Sequence, residues 1–217
     1  MMKKYWGLLL LCLTGYFAKA QFLDSIQASI DRKGSFSFSF NSRNSSITNH
    51  NAYIFGYLIG VRFDRKIGIG GGYNALSTSV TDSVVADGKT IHRKLSFSFF
   101  SYYVEYLFRL TKHWELDVFL MSGVGNSHYT YTNIDPTVIH QERMVIPFEP
   151  SACIEYDFNK FVGLYVQAGY RWMLLNNKTI NENFNSPTYS FGIAIYPLEI
   201  FAALFPNTKL AHIIEDN

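Results

Sequence analysis

The side chains best suited to chemistry in this chain are charged groups set at alternate positions. Arg62, Arg109 and Arg171, with Glu105, Glu115, Asp117, Glu149, Glu155 and Asp157, each stand where apolar residues occupy every other place. Alternation with period two is the signature of a strand, so these charges share the face opposite the apolar one. Enclosed on such a face, opposite charges lock a structure when they pair and are costly when they do not. The acids outnumber the arginines, which is compatible with protonated carboxylates or a bound cation; the residues themselves do not choose. Read functionally, the same row is a narrow polar path for ions or a small solute.

Ser127 and His128 invite the idea of a nucleophile and its base. Such a base must reach the hydroxyl within hydrogen-bond distance and be oriented by a third group. Neighbouring residues of a strand point to opposite faces, so His128 cannot serve Ser127. His50, His92 and His140 lie in separate polar stretches without the spacing of a ligand set. Cys153 is expected to pack as a small inward hydrophobe. No catalytic residue, metal or cofactor is expected.

The elements that must position these groups are clearest in the hairpin over residues 145–173. Phe148, Pro150, Ala152, Ile154, Tyr156 and Phe158 fall on one face of the first arm, with Glu149, Ser151, Cys153, Glu155 and Asp157 on the other. The second arm sets Val162, Leu164, Val166, Ala168, Tyr170 and Trp172 against Gly163, Tyr165, Gln167, Gly169 and Arg171. Facing residues of an antiparallel pair lie on the same side of the sheet, so the two apolar faces must coincide. With residues 159–161 as a three-residue turn, Phe158 pairs with Val162 and Glu149 lies opposite Arg171. Ladders that are apolar outside and charge-paired inside imply a barrel wall.

The rest of the chain repeats the pattern. A short amphipathic helix is expected within residues 21–33, then strands over 35–41, 53–63, 67–78, 95–110, 114–131 and 188–196, which with the hairpin make eight. The apolar phase of 95–99 disagrees by one residue with that of 102–110, which predicts a bulge near Phe100. Turns at 64–66, 111–113 and 159–161 are short. Residues 43–51, 79–94, 132–143 and 175–187 read as longer polar loops. The same register puts Arg109 opposite Glu115, and Gly68, Gly70 and Gly72 opposite Arg62, Gly60 and Leu58. Small beside large is what a narrow eight-stranded interior needs.

Composition narrows the class. Residues 1–20 have the basic start, apolar centre and Ala18-Lys19-Ala20 box of a secretory signal. Charged residues make up 17% of the 217-residue chain and aromatics another 17%, with 19 Phe and 15 Tyr. Soluble domains usually carry ~25% charged residues. A net charge of +2 without a basic run gives no case for nucleic acid. A soluble barrel would place its aromatics inside and coat its exterior with polar groups. Here the second face is Gly, Ser, Tyr and a few charges, a thin coat for a surface but a workable lumen.

Signal, eight amphipathic strands, and short turns alternating with long loops resemble the small outer-membrane β-barrel family, similar to OmpA-like and OmpX-like barrels. The resemblance covers residues 35–196 and is architectural. It implies an all-β, eight-stranded antiparallel up-and-down transmembrane β-barrel in the outer membrane. The organisation expected is a signal peptide over 1–20, a short periplasmic segment over 21–34, the barrel over 35–197 and a tail over 198–217. The function expected is non-enzymatic, structural or surface-interacting through polar extracellular loops. The outer wall meets membrane lipid, an extracellular or envelope partner is met through the loops, and the barrel is a monomer. Two alternatives stand beside it. One is a narrow, porin-like pore. The other is a lipid A-modifying hydrolase, since small barrels that trim lipid A use a membrane-facing His and Ser; Thr130 occupies the serine place of that His-x-Ser pattern. Barrels of this kind usually end on a terminal aromatic, whereas this chain continues past Tyr196.

Overall fold

The computed structural model describes residues 24–48, 50–86, 89–131, 142–180 and 182–207, with backbone alone at 82–86, 89, 91 and 198. The expected signal segment lies outside the described residues, as do residues 132–141 of the second long loop and His140 within it.

Alternation in the sequence becomes strand throughout. The strands are β1 (Gly34–Ile47), β2 (His50–Phe63), β3 (Ile67–Leu76), β4 (Thr81–Ala86), β5 (Lys89–Arg109), β6 (Trp114–Tyr131), β7 (Arg143–Asn159), β8 (Val162–Leu175) and β9 (Ser186–Ile195). All except β4 form one closed antiparallel ring. β3 pairs with β5, and β1 meets β9 at Asn44 and Tyr189. That is an eight-stranded up-and-down barrel, as the sequence implied. The closing seam has few backbone pairs and is reinforced by side chains: Ser46 N donates to Ser186 Oγ at 2.9 Å, and Asn183 N to Thr48 Oγ1 at 2.9 Å. β4 pairs only with residues 89–94 of β5, so the two strands run on as a hairpin beyond the ring.

The expected register is observed where it was counted. Arg109 faces Glu115, and Gly68, Gly70 and Gly72 face Arg62, Gly60 and Leu58. On β7 and β8, Phe148 faces Trp172 and Asp157 faces Gly163, which puts Glu149 across from Arg171. The turn after β7 differs in detail. Asn159 pairs with Val162, so two residues make the turn and Phe158 falls at a register shift. The Asn159 side chain explains this: its Oδ1 accepts from Phe161 N (2.8 Å) and Val162 N (3.2 Å), a local bond that tightens the corner.

Two further expectations are corrected. Residues 43–51 are not a polar loop: β1 runs to Ile47 and β2 begins at His50, with a tight turn between them in which Thr48 takes a positive φ of 43°. The segment reads as polar on both faces because its outer residues, Ser42, Asn44 and Ser46, lie above the apolar part of the wall. Its inner residues Arg43 and Ser45 are buried in the barrel. Nor is there a bulge near Phe100. β5 keeps one register with β3 and with β6 through residues 98–106. Leu95, Phe97 and Phe99 simply point inward, and Phe100, Tyr102 and Val104 outward. The interior of the loop end is therefore apolar, where the inner face had been expected to be mainly Gly, Ser, Tyr and a few charges.

Inside, glycines of β2 and β3 make room for large neighbours. A Cβ on Gly60 would come within 2.5 Å of Tyr103 Oη, and one on Gly70 within 2.7 Å of Tyr103 Cε1, so the Tyr103 ring lies flat over bare backbone. Phe119 stacks on Tyr103 at 5.1 Å between centroids. Short helices flank the short-turn end: α1 (residues 24–30) leads into β1, where Arg32 reaches Asp64 at 2.7 Å, and α2 (Pro197–Leu204) follows β9.

Candidate functional site

The charged residues separate into two groups along the barrel. Nearer the loop end, Glu149 of β7 sits between Arg43 of β1 and Arg171 of β8. Its Oε2 lies 2.5 Å from Arg43 Nε, and its Oε1 lies 3.7 Å from Arg171 Nη1. All three side chains are almost completely buried. Arg43 Nη1 also donates to Asn74 Oδ1 at 3.0 Å, and Asn74 Nδ2 to Ser101 Oγ at 2.9 Å, so β1, β3, β5 and β7 are tied across the lumen. Arg171 is fixed by a different set. Nε donates to Phe184 O (2.8 Å), Nη2 to Ser45 Oγ (2.6 Å), and the guanidinium lies 5.5 Å from the Phe97 ring centre. A planar donor fork over an aromatic face is a role that lysine does not fill.

Nearer the short turns the balance is acidic. Arg62 pairs with Glu105 at 2.7 Å, and Arg109 Nε donates to Glu115 at 2.9 Å at the exposed rim. Glu155 and Asp157 have no arginine partner among the described residues. Both accept the Tyr196 hydroxyl, Asp157 at 2.7 Å. Asp117 stands apart, with Oδ1 buried and unpartnered among the described residues. Two cations around one anion near the loops, and five carboxylates around two arginines near the turns, give the interior a lengthwise polarity.

Arg43, Phe184 and Tyr196 belong to this site although their sequence context hid them; Asn74, beside them, is turned inward by the alternation of its strand. Arg43 sat in an apparent loop; its parity with Asn41 and Ser45 on one strand was the signal that placed it inside. Phe184 sat in the polar stretch 175–187. In the structure that stretch folds back into the mouth: Phe184 stacks on Phe97 at 4.9 Å, Ile180 is buried beside it, Asn177 Nδ2 donates to Ser127 O at 2.9 Å, and Tyr129 bonds Glu182. Ile47, Ile54, Leu95, Phe99 and Val145 complete an apolar cap. A cavity between Asn41, Arg43, Glu149 and Gln167 is about 10 Å³, room for one water at most.

Ser127 is fully buried, whereas His128 occupies the other face of β6, half-buried, opposite Ser96. The strand therefore separates hydroxyl and imidazole as its pleat requires. His50 and His92 are exposed, at the start of β2 and near the start of β5, strands that β3 separates in the ring. Cys153 is half-buried on the inner face.

The outer wall is a continuous apolar belt. Phe36, Phe38 and Phe40 on β1, Phe55, Tyr57 and Ile59 on β2, Val166 and Trp172 on β8, and Phe191 and Ile193 on β9 all face out and are exposed. Above the belt the outward residues turn polar, to Ser42 and Asn44 on β1, Ser98 and Ser96 on β5, and Asn126 and Thr130 on β6. β8 has 14 residues. At a rise of about 3.3 Å per residue and a tilt of roughly 45° it crosses on the order of 30 Å, the thickness of a hydrocarbon core. In lipid every backbone polar group must be satisfied internally, and a closed ring of strands does so.

No family model and no curated protein matches the chain. Among solved structures it is similar to Ail, the attachment invasion locus protein of Yersinia pestis, in complex with the heparin analogue sucrose octasulfate. Identity is 12%, over 75% of this chain and 98% of that one, with a TM-score of 0.47. It is also similar to the N-terminal β-barrel domain of Pseudomonas aeruginosa OprF, at 16% identity over 74% of this chain and 97% of that one, with a TM-score of 0.41. Likeness at that level leaves the argument to the chain's own geometry: a closed eight-stranded barrel, apolar outside and charge-linked within, which is the architecture of an outer-membrane β-barrel.

Proposed function

We propose that this chain is a sealed, non-enzymatic outer-membrane barrel whose work is done by the surface it raises above the membrane, through structural or surface contacts. The observation that carries the reading is the filled interior. The Arg43–Glu149–Arg171 linkage spans the lumen, and the Phe97–Phe184 cap closes the mouth over it. A barrel packed in this way is a rigid scaffold, and function on such scaffolds resides in the connections. Here β5 and β6 continue past the belt, with β4 added alongside β5. Lipid is the partner of the belt, and one chain closes the ring by itself, which supports a monomer.

Replacing residues 79–94 with a short turn tests the reading. Cells carrying that variant lose surface adhesion or envelope integrity while the protein keeps its heat-dependent gel shift. Full retention of every such phenotype counts against it. Discrete conductance of the intact protein in planar bilayers would favour the narrow pore, and altered lipid A acylation that depends on His128 would favour the hydrolase.

A further inference from the structure

α2 has no role in the barrel's closure, yet its placement is fixed just before its first turn and along one face. Tyr196, immediately before it, is pinned to the inner rim: its N donates to Phe161 O at 3.1 Å and its hydroxyl to Asp157. Glu199 reaches Arg65, on the turn between β2 and β3, at 3.5 Å, and Ala202, one turn further, is buried. Glu199 and Ala202 thus define the face turned to the protein. Phe201, Leu204 and Phe205 are left exposed, Leu204 by 68%, with the two phenyl rings 5.0 Å apart. From Ile200 to Phe205 the chain carries no charge.

Two features say what covers that face. The outward row of β9, Tyr189, Phe191, Ile193 and Ile195, is part of the membrane belt and runs directly into the helix, so the apolar surface is continuous with it. The surrounding rim carries exposed cations, Arg32, Arg65, Lys66, Lys112 and Lys160, of which Arg65 is paired with Glu199; Asp64 is largely covered by its ion pairs with Arg32 and Lys66, and Asp24 and Asp31 are exposed on and just after α1. An apolar helix face flanked by cations is the pattern that seats a helix at a lipid surface.

We infer that α2 lies in the boundary between acyl chains and headgroups of the leaflet on the short-turn side, with Phe201, Leu204 and Phe205 in the lipid and the rim cations against phosphate. The inference rests on the membrane reading of the belt. It assigns α2 a role as an anchor at the membrane surface.

The test uses the full chain in a Cys12→Ser, Cys153→Ser background, folded into phosphatidylcholine vesicles containing phosphatidylglycerol. An environment-sensitive fluorophore is attached at Leu204→Cys or, as belt control, at Val166→Cys. Lipids with a nitroxide at a shallow or a deep acyl position act as quenchers. Leu204 is expected to be quenched more by the shallow probe, as for a helix buried about 5–10 Å into the boundary. Val166 is expected to be quenched by the deep one. Water-like, unquenched emission from Leu204 with a quenched Val166 overturns the anchor alone, and leaves the face to water or to a periplasmic protein. Loss of quenching at both positions overturns the membrane reading itself.

Discussion

Arg43 and Glu149 lie 2.5 Å apart although their strands, β1 and β7, share no backbone pairing anywhere in the ring. The contact crosses the lumen, so it reports on closure of the whole barrel and not on any one hairpin. Breaking a buried pair from one side leaves an uncompensated charge, at a cost of about 3–5 kcal/mol. Glu149→Ala therefore strands two arginines and is expected to destabilise by that amount, read as a lower urea midpoint of the vesicle-folded protein. The double variant Arg43→Met, Glu149→Met is expected to recover part of the loss, because the charges leave together. An Arg43–Glu149 double variant less stable than either single one would contradict the account.

Phe184 seals the mouth from a stretch that reads as loop. Truncating a buried phenylalanine costs about 3–5 kcal/mol, and here the lost ring also uncovers Phe97. Phe184→Ala is expected to expose residues 176–185 to protease while the ring of strands persists as a heat-modifiable band. In planar bilayers the parent protein is expected to be silent and the variant to show small, brief openings. A conducting parent would mean that the cap does not close the path.

The belt's boundary can be tested by placing charge on either side of it. Val166 is 64% exposed and sits mid-strand on β8, whereas Ser96 faces out on β5 above the aromatic row. An arginine facing lipid near the bilayer midplane costs about 2–4 kcal/mol, falling towards zero at the interface. Val166→Arg is expected to fold poorly into vesicles and Ser96→Arg to fold as the parent does. Equal folding yields would deny that Val166 meets hydrocarbon.

The barrel was legible wherever the wall has water or ions on one side and lipid on the other, because only there is the alternation steep. The pairing of Arg109 with Glu115 followed from parity and turn length alone, and Glu149 falls across from Arg171 as counted because a register shift between Asp157 and Asn159 offsets the shorter turn. Above the belt the contrast disappears. Around Arg43, Ser45 and Ser46 both faces are polar, and a strand resembles a loop. Around Leu95, Phe97 and Phe99 the interior turns apolar, and a face reversal resembles a bulge. The reason is tertiary: residues 176–185 return to cover that end, which no local pattern states. Ile180 and Phe184, two large apolar residues in an otherwise polar run, were the available clue.

Tyr196 offers a pH test at the other end of the barrel, just past β9. Burial, and then its bonds to the Glu155 and Asp157 carboxylates and their charge, push its phenol above the ordinary value of 10.0. It stays a neutral donor, holding together two anions that would otherwise face each other. The folded form keeps its proton where the unfolded chain releases it, so this contribution is complete below about pH 10 and declines above it, by about 1.4 kcal/mol per pH unit. Tyr196→Phe removes the donor, at a cost of about 1.5–3 kcal/mol for a bond to a charged group. It also removes that part of the alkaline slope. Urea titrations from neutral to alkaline pH should therefore show a gap between parent and variant that narrows as pH rises past 10. A gap that stays constant would mean that Tyr196 contributes packing and not a proton.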